Sequence, residues 1–241
     1  MITSVISYCN NDFRFIEENI EQVKKFSQDI IICYCKHSFD GDKEDETTIQ
    51  KMKELAKGCT IVEIEYDSSK SPKYHHNLMR WKGTEMAKSD YILFLDADEI
   101  IEGELFNEYL KCSDWLNYDV VSYKCYWYFR EKRFRAKKTE EAAVLCKKSI
   151  CTESYIFSDS ERWEFLNRMQ SLKIQPNETF RGEIICHHYS WVRTKEEMLK
   201  KVKSWGHRQE KDWIALIEEE FSHDFSMQDF VHNYQYIDIN K

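Results

Sequence analysis

Short apolar runs alternate with stretches in which apolar residues return every three or four positions through the first hundred residues of the chain. Residues 2–8 (Ile-Thr-Ser-Val-Ile-Ser-Tyr), 30–35, 60–64 and the run beginning at Tyr91 read as buried strands, rich in β-branched and aromatic side chains. Between them, Phe13, Ile16, Ile20, Val23 and Phe26 mark one face of a helix that Asn10-Asn11-Asp12 can cap. Ile49, Met52, Leu55 and Ala56 mark a second helix ended by Gly58, and a third is expected from about His75 to Lys88. Such alternation predicts an α/β fold: a mostly parallel central sheet with helices on both faces, binding its ligand at the carboxyl ends of the strands. After Ile100 the rhythm changes. A helix at 104–110, a long aromatic strand at 119–129, a basic stretch at 130–138, a strand at 142–147, a helix at 160–170 and a strand at 183–189 are expected. Two amphipathic helices then close the chain, one carrying Met198, Leu199, Val202 and Trp205, the other Trp213, Leu216 and Ile217.

With 241 residues, 42% of them hydrophobic and few glycines or prolines, the chain suits one ordered domain spanning 1–241. A net charge of −8 argues against binding nucleic acid through counterion release. Nine cysteines without paired Cys-x-x-Cys spacing point to reduced thiols and a cytoplasmic location rather than a disulfide framework. The first eight residues form a core strand and lack the features of a secretory signal. No apolar run is long enough to span a bilayer, so any membrane contact is peripheral.

The chemistry concentrates at Tyr91-Ile-Leu-Phe-Leu-Asp-Ala-Asp-Glu-Ile100, where an apolar strand delivers Asp96 and Asp98 at its end. Strand side chains alternate faces with period two, so Asp96 and Asp98 are expected to point to one side and Ala97 to the other, two hard oxygen ligands for Mg²⁺ or Mn²⁺ beside a diphosphate. Together with Arg80-Trp-Lys-Gly83 upstream, this segment resembles glycosyltransferases of the GT-A fold, family 2 in particular. Those enzymes commonly carry Ala-Arg-Asn-x-Gly before a strand ending in Asp-x-Asp-Asp/Glu; here Trp81 replaces the Asn. Ser4-Val-Ile-Ser-Tyr-Cys-Asn10 resembles the family's opening strand, and His187-His-Tyr-Ser-Trp191 resembles a His-x-Ser-Trp segment of family-17 N-acetylglucosaminyltransferases.

The resemblance implies a nucleotide-binding half at 1–100, an acceptor half at 101–190 and a helical C-terminal extension at 191–241. It implies a nucleotide-sugar donor, UDP-linked in the commonest case, contacted by Ser7, Tyr8, Asn10, Arg80, Asp96, Asp98 and His207. Tyr8 reads equally as a half-buried core aromatic. Asp96, Asp98 and His188 are the expected ligands of Mn²⁺ or Mg²⁺, and Lys200, Lys203 and His207 are candidates to approach the diphosphate. The Asp-Asp pair that usually meets the base is replaced by Tyr34-Cys35, leaving Asp40 or Asp67 as substitutes. Glu161, ahead of Asp159, is the candidate catalytic base. Trp127, Trp163 and Trp191 are read as stacking platforms or core, and residues 130–138 as a lid over an anionic acceptor or a plain exposed turn.

The expected activity is therefore a metal-dependent, inverting transfer of a sugar to a glycan or lipid-linked acceptor. Two alternatives stand beside it: a noncatalytic sugar-nucleotide or glycan-binding module of the same fold, and a haloacid-dehalogenase-type phosphatase. The phosphatase is disfavoured because three strands precede the Asp-x-Asp and Glu99 follows it.

Overall fold

The computed structural model describes residues 1–157 and 172–241. The expected helix at 160–170, and with it Asp159, Glu161 and Trp163, lies outside the described residues. The opening half follows the sequence pattern closely: β1 (Ile2–Tyr8), α1 (Phe13–Val23), β2 (Asp29–Cys35), α2 (Glu46–Leu55), β3 (Thr60–Ile64), α3 (Pro72–Met86) and β4 (Tyr91–Asp96). These four strands lie in the order β3-β2-β1-β4 and are all parallel. Beyond them come β5 (Glu99–Ile101), α4 (Gly103–Lys111), β6 (Val120–Phe129), β7 (Glu131–Lys147), α5 (Glu153–Ile156), β8 (Ile174–Glu178), β9 (Cys186–Trp191), α6 (Lys195–Ser204), α7 (Trp213–Glu220) and β10 (Tyr236–Asp238). They extend one continuous sheet as β4-β7-β6-β9-β5, with β7 antiparallel to β4 and β6, and β9 parallel to β6.

Alternation along each strand divides the core between the two faces of the sheet. Ile6, Ile32 and Leu93 pack with Ile16, Ile20, Met52 and Phe106 of α1, α2 and α4; Val5, Ile31 and Phe94 pack with Met79 of α3. Gly83 sets how closely α3 can lie on β1, because a Cβ there would stand 2.3 Å from Val5 Cγ1. The glycine of the Arg80-Trp-Lys-Gly83 segment is therefore a packing residue. A third cluster seats α6 and α7 on the far sheet through Trp127, Phe129, Trp191, Met198, Trp213 and Ile217. Trp127 and Trp191 are thus core rather than stacking platforms. No described helix is long and apolar enough to cross a membrane.

Two expectations from the sequence are corrected. The basic stretch 130–138 is neither a lid nor an exposed turn: its first residue, Arg130, turns β6 into β7 at a φ of 60°, and the strand runs from Glu131 to Lys147. Phe134 and Ala136 are buried, Arg135 between them is half-buried over Tyr126, the flanking Glu131, Lys132, Lys137 and Lys138 are exposed, and β10 pairs against this segment. Dense charge on the outer face conceals the period-two pattern. Second, β9 starts at Cys186 rather than near 183, because residues 180–183 form a turn closed by the Phe180–Glu183 bridge.

Candidate active site

β4 ends at Asp96, and this changes the geometry expected of the Asp-x-Asp pair. Ala97 and Asp98 form a turn before β5, so strand alternation does not carry through to Asp98. The turn is held from several sides. Asn19 of α1 donates its amide to the carbonyl oxygens of Asp96, Ala97 and Glu99 at 3.3, 3.2 and 2.9 Å, and the buried Glu99 accepts from the Asp96 amide at 2.8 Å. Asn19 carries no signal in the sequence beyond its place on the buried face of an amphipathic helix. The two carboxylates then part company.

Asp96 continues the face of Ile92 and Phe94 and meets α3. Its Oδ1 lies 2.9 Å from His76 Nε2 and 3.6 Å from Arg80 Nη2, while Arg80 Nη1 donates to Asn77 Oδ1 at 3.1 Å. His76 and Arg80 stand four residues apart, the spacing that places two side chains on one helix face. Because Arg80 Nη2 is also 3.0 Å from His76 Nε2, only one hydrogen can occupy that approach. With Nε2 protonated toward Asp96, Arg80 acts on the carboxylate through charge. Ser7 of β1 is in register with Asp96, and its buried Oγ has no hydrogen-bond partner among the described residues. Asp96 keeps about a quarter of its side chain exposed, at 23%. Asp96 thus lies in a polar, partly exposed setting.

Asp98 is 6% exposed and belongs to a buried ionic cluster. Arg193, which follows β9 and is fully buried, donates to Asp98 Oδ2 at 3.1 Å, to the Ser190 carbonyl at 2.8 Å, and closely to Asp12 Oδ1 and the Asn11 carbonyl. Cys9 donates to Asp12 Oδ2 at 3.0 Å. On the other oxygen, Asp98 Oδ1 lies 3.6 Å from His188 Nε2, and Lys201 of α6 stands 3.9 Å from Oδ2. Burial and the neighbouring Asp12 push the Asp98 carboxyl above its ordinary range, against the pull of Lys201, His188 and Arg193. Burial would raise Asp12 too, yet Arg193 and Lys201 outweigh it and hold Asp12 low. Lys201 is lowered by burial first and by Arg193 second.

Of the three expected metal ligands, the structure brings two together. Asp98 Oδ1 and His188 Nε2 are separated by 3.6 Å, near the roughly 3 Å edge expected between adjacent ligands of a small octahedral ion. Asp96 is turned instead toward His76 and Arg80. Among the described residues no group of three or more His, Cys, Asp or Glu side chains is placed to hold a metal. Two donors alone would hold a divalent ion only with further ligands from outside the described residues. His187 occupies the opposite face, as alternation in β9 requires, 2.7 Å from the Tyr128 hydroxyl and 2.9 Å from Glu102. It lines a separate cleft of about 340 Å³ with Tyr189 and Glu18.

The remaining expectations divide as follows. Tyr8 is buried in the α1-side core at 2% exposure, so it is no stacking surface. Asn10 accepts from the Tyr8 hydroxyl at 3.1 Å and donates to the Asp45 carbonyl at 2.8 Å, tying two loops together. Asp40 and Asp67 accept from Ser38 and Ser69 within their own turns. His207 bonds Glu210 and leans on Trp205, and the adjacent Gly206 approaches Lys73 at the start of α3. Lys200 pairs with Glu44 at 3.5 Å. Residues that sequence reasoning missed include His76, whose i, i+4 spacing to Arg80 was a usable signal. Asp12, Arg193 and Lys201 were also missed.

The fold, a mostly parallel sheet flanked by helices, is the GT-A fold of nucleotide-sugar transferases. The profile of glycosyl transferase family 2 matches residues 4–196, and the chain belongs to that family. It is similar in fold to Staphylococcus aureus TarS residues 1–349, with 15% identity, a TM-score of 0.52 and coverage of 92% of this chain and 73% of that one. The same protein in complex with UDP-GlcNAc gives 14% identity, a TM-score of 0.52 and coverage of 93% and 74%. The mannosyltransferase PcManGT from Pyrobaculum calidifontis, in complex with GDP-Man and Mn²⁺, gives 10% identity, a TM-score of 0.53 and coverage of 84% and 60%. No curated protein sequence matches the chain.

Proposed function

We propose that the protein transfers a sugar from a nucleoside-diphosphate donor, UDP-linked in the first instance, to a glycan or lipid-linked acceptor, with inversion at the anomeric carbon. One observation carries this reading. The turn after β4 presents two carboxylates in different settings at the carboxyl edge of a parallel sheet, one in a polar, partly exposed setting and one in a charged cluster. Asp96, oriented by His76, suits a hydroxyl of the ribose or the sugar; Ser7 and Arg80 stand beside it. A divalent ion, held by Asp98 and His188 when bound, would supply counter-charge to the diphosphate. TarS with UDP-GlcNAc and PcManGT with GDP-Man support a nucleotide-sugar donor without choosing its base. The likeness of residues 188–191 to family-17 enzymes keeps an N-acetylhexosaminyl donor beside a hexosyl one.

In the transfer, an acceptor hydroxyl oxygen bonds to the anomeric carbon as the bond from that carbon to the diphosphate oxygen breaks. The electron pair departs with the diphosphate, and the hydroxyl proton passes to a carboxylate, for which Glu161 and then Asp159 remain the candidates.

A panel of UDP- and GDP-sugars, assayed for hydrolysis and for thermal stabilisation with and without Mn²⁺, tests the proposal. Turnover of at least one donor is expected, and Asp98→Asn should lower it by about a hundredfold or more. Cleavage of a generic phosphate ester with no response to any nucleotide-sugar would refute it. A donor that stabilises the protein without ever being turned over, in the presence of acceptor extracts, would favour a binding module.

A further inference from the structure

α6 carries lysines on several faces. Lys195 pairs with Glu218 at the exterior, and the exposed ammonium of Lys200 reaches the buried Glu44. Lys201 differs. It lies between the buried Met198 and Val202 on the inward side of the helix, with only 16% of its side chain exposed. Its nearest carboxylate oxygen, Asp98 Oδ2 at 3.9 Å, is beyond hydrogen-bonding distance and already accepts from Arg193 at 3.1 Å. Among the described residues no acceptor takes any hydrogen of the Lys201 ammonium. An ammonium has three donors, and leaving them unspent in a largely desolvated place is costly.

The charges of the cluster sharpen the point. Asp12 and Asp98 are balanced by Arg193 and Lys201, but Arg193 alone makes the hydrogen bonds to both carboxylates. Lys201 is therefore the cation whose directional bonding is not consumed by the protein. It stands on the Oδ2 side of Asp98, whereas His188 stands on the Oδ1 side. Any divalent ion held by Asp98 Oδ1 and His188 would thus leave Lys201 its own approach to a bound anion. Residual exposure gives that anion access.

Resting on the transferase reading above, we infer that Lys201 is the protein's own cation for the β-phosphate of the nucleoside diphosphate, and that it holds this group without help from a divalent ion. During transfer the same ammonium would face the oxygen on which the departing electron pair settles, a placement that stabilises the leaving group. Arg193 is the positioning residue that occupies Asp98 and Asp12 and so leaves Lys201 for the ligand.

The test is binding by calorimetry of UDP, UMP, GDP and GMP to the wild-type protein and to Lys201→Met, Lys201→Arg and Lys195→Met, in EDTA and again with Mn²⁺. The wild type should bind one nucleoside diphosphate in EDTA. Lys201→Met should lose at least tenfold of that affinity while the matching monophosphate changes about twofold or less. Lys201→Arg should retain most of the diphosphate affinity, and Lys195→Met, which loses only the surface pair with Glu218, should match the wild type. The arginine variant and a melting curve for each protein separate loss of the contact from loss of the fold. Diphosphate affinity in EDTA that is unchanged in Lys201→Met, or that falls equally for mono- and diphosphate, overturns the inference. So does wild-type binding that requires Mn²⁺, although the transferase reading then stands. Absence of binding to every nucleotide under both conditions overturns both.

Discussion

The two carboxylates of one short motif sit in opposite kinds of surroundings. Asp96 is partly exposed and lies against His76 and Arg80 of α3, beside a serine hydroxyl that has no hydrogen-bond partner among the described residues. Asp98, two residues on, is sealed in a cluster that joins the loop after β1 to the segment after β9 and to α6. The difference follows from where β4 stops. A strand that continued would have turned both carboxylates to one face; a turn at Ala97 sends the second toward the far half of the sheet. The first stays partly exposed beside α3, while the second ties the loop after β1 to the segment after β9.

The largest effect should come from breaking the sealed side. Arg193→Met leaves Asp12 and Asp98 buried without their shared partner, and removing one member of a buried ion cluster costs about 3–5 kcal/mol. Chemical denaturation should show that loss, with Asp12→Asn partly restoring stability in the Arg193→Met background. An Arg193→Met protein as stable as the wild type would mean that the cluster does not tie the two segments together. The open side should answer differently. Asp96→Asn ought to cost stability only about 1 kcal/mol, because Asp96 and its partner His76 are both partly exposed. Its kcat/KM for the donor should fall roughly ten- to a hundredfold, the equivalent of one hydrogen bond to a charged group at about 1.5–3 kcal/mol. His76→Phe should reproduce a smaller part of that fall and add little on top of Asp96→Asn, since the two side chains act through one contact. Additive losses would assign His76 a role of its own.

The same contrast explains what was legible in the sequence. The open side is built from local periodicities. The alternation Ile92, Phe94, Asp96 places the carboxylate on the α3 face, and the four-residue step from His76 to Arg80 puts both partners on one side of that helix. Asn10-Asn11-Asp12 reads as a helix cap for equally local reasons, yet Asp12 makes no side-chain cap bond and gives its carboxylate to Arg193. The sealed side depends on contacts between residues far apart in sequence; Arg193 and Asp98 are 95 positions apart. No period relates them. Lys201 is hidden twice, once by that distance and once by Lys200 and Lys203 on the same helix, which make the whole segment look like a solvated face. Family resemblance singled out His188, which lies 3.6 Å from Asp98 Oδ1. It could not show that Asp96 leaves the pair.

The smallest predicted effect is also the most selective. α6 begins with a complete capping box: Thr194 Oγ1 accepts from the Glu197 amide at 3.3 Å, and Glu197 Oε2 accepts from the Thr194 amide at 2.8 Å. Thr194→Ala removes half of that exchange, at about 1 kcal/mol. The buried Met198 and Val202 anchor the helix to the Trp191 cluster, so the loss should appear as local opening rather than global unfolding. Hydrogen exchange should therefore quicken over 195–204 while the amides of α3 around His76 keep their protection. Since α6 delivers Lys201 to Asp98, the fraction of molecules with the cluster closed should drop in step, and diphosphate affinity in EDTA should fall by that fraction and no more. Exchange quickening equally in α3 and α6 would show that the two sides open as one unit, and the division between an independent, partly exposed side and a sealed cluster would then be lost.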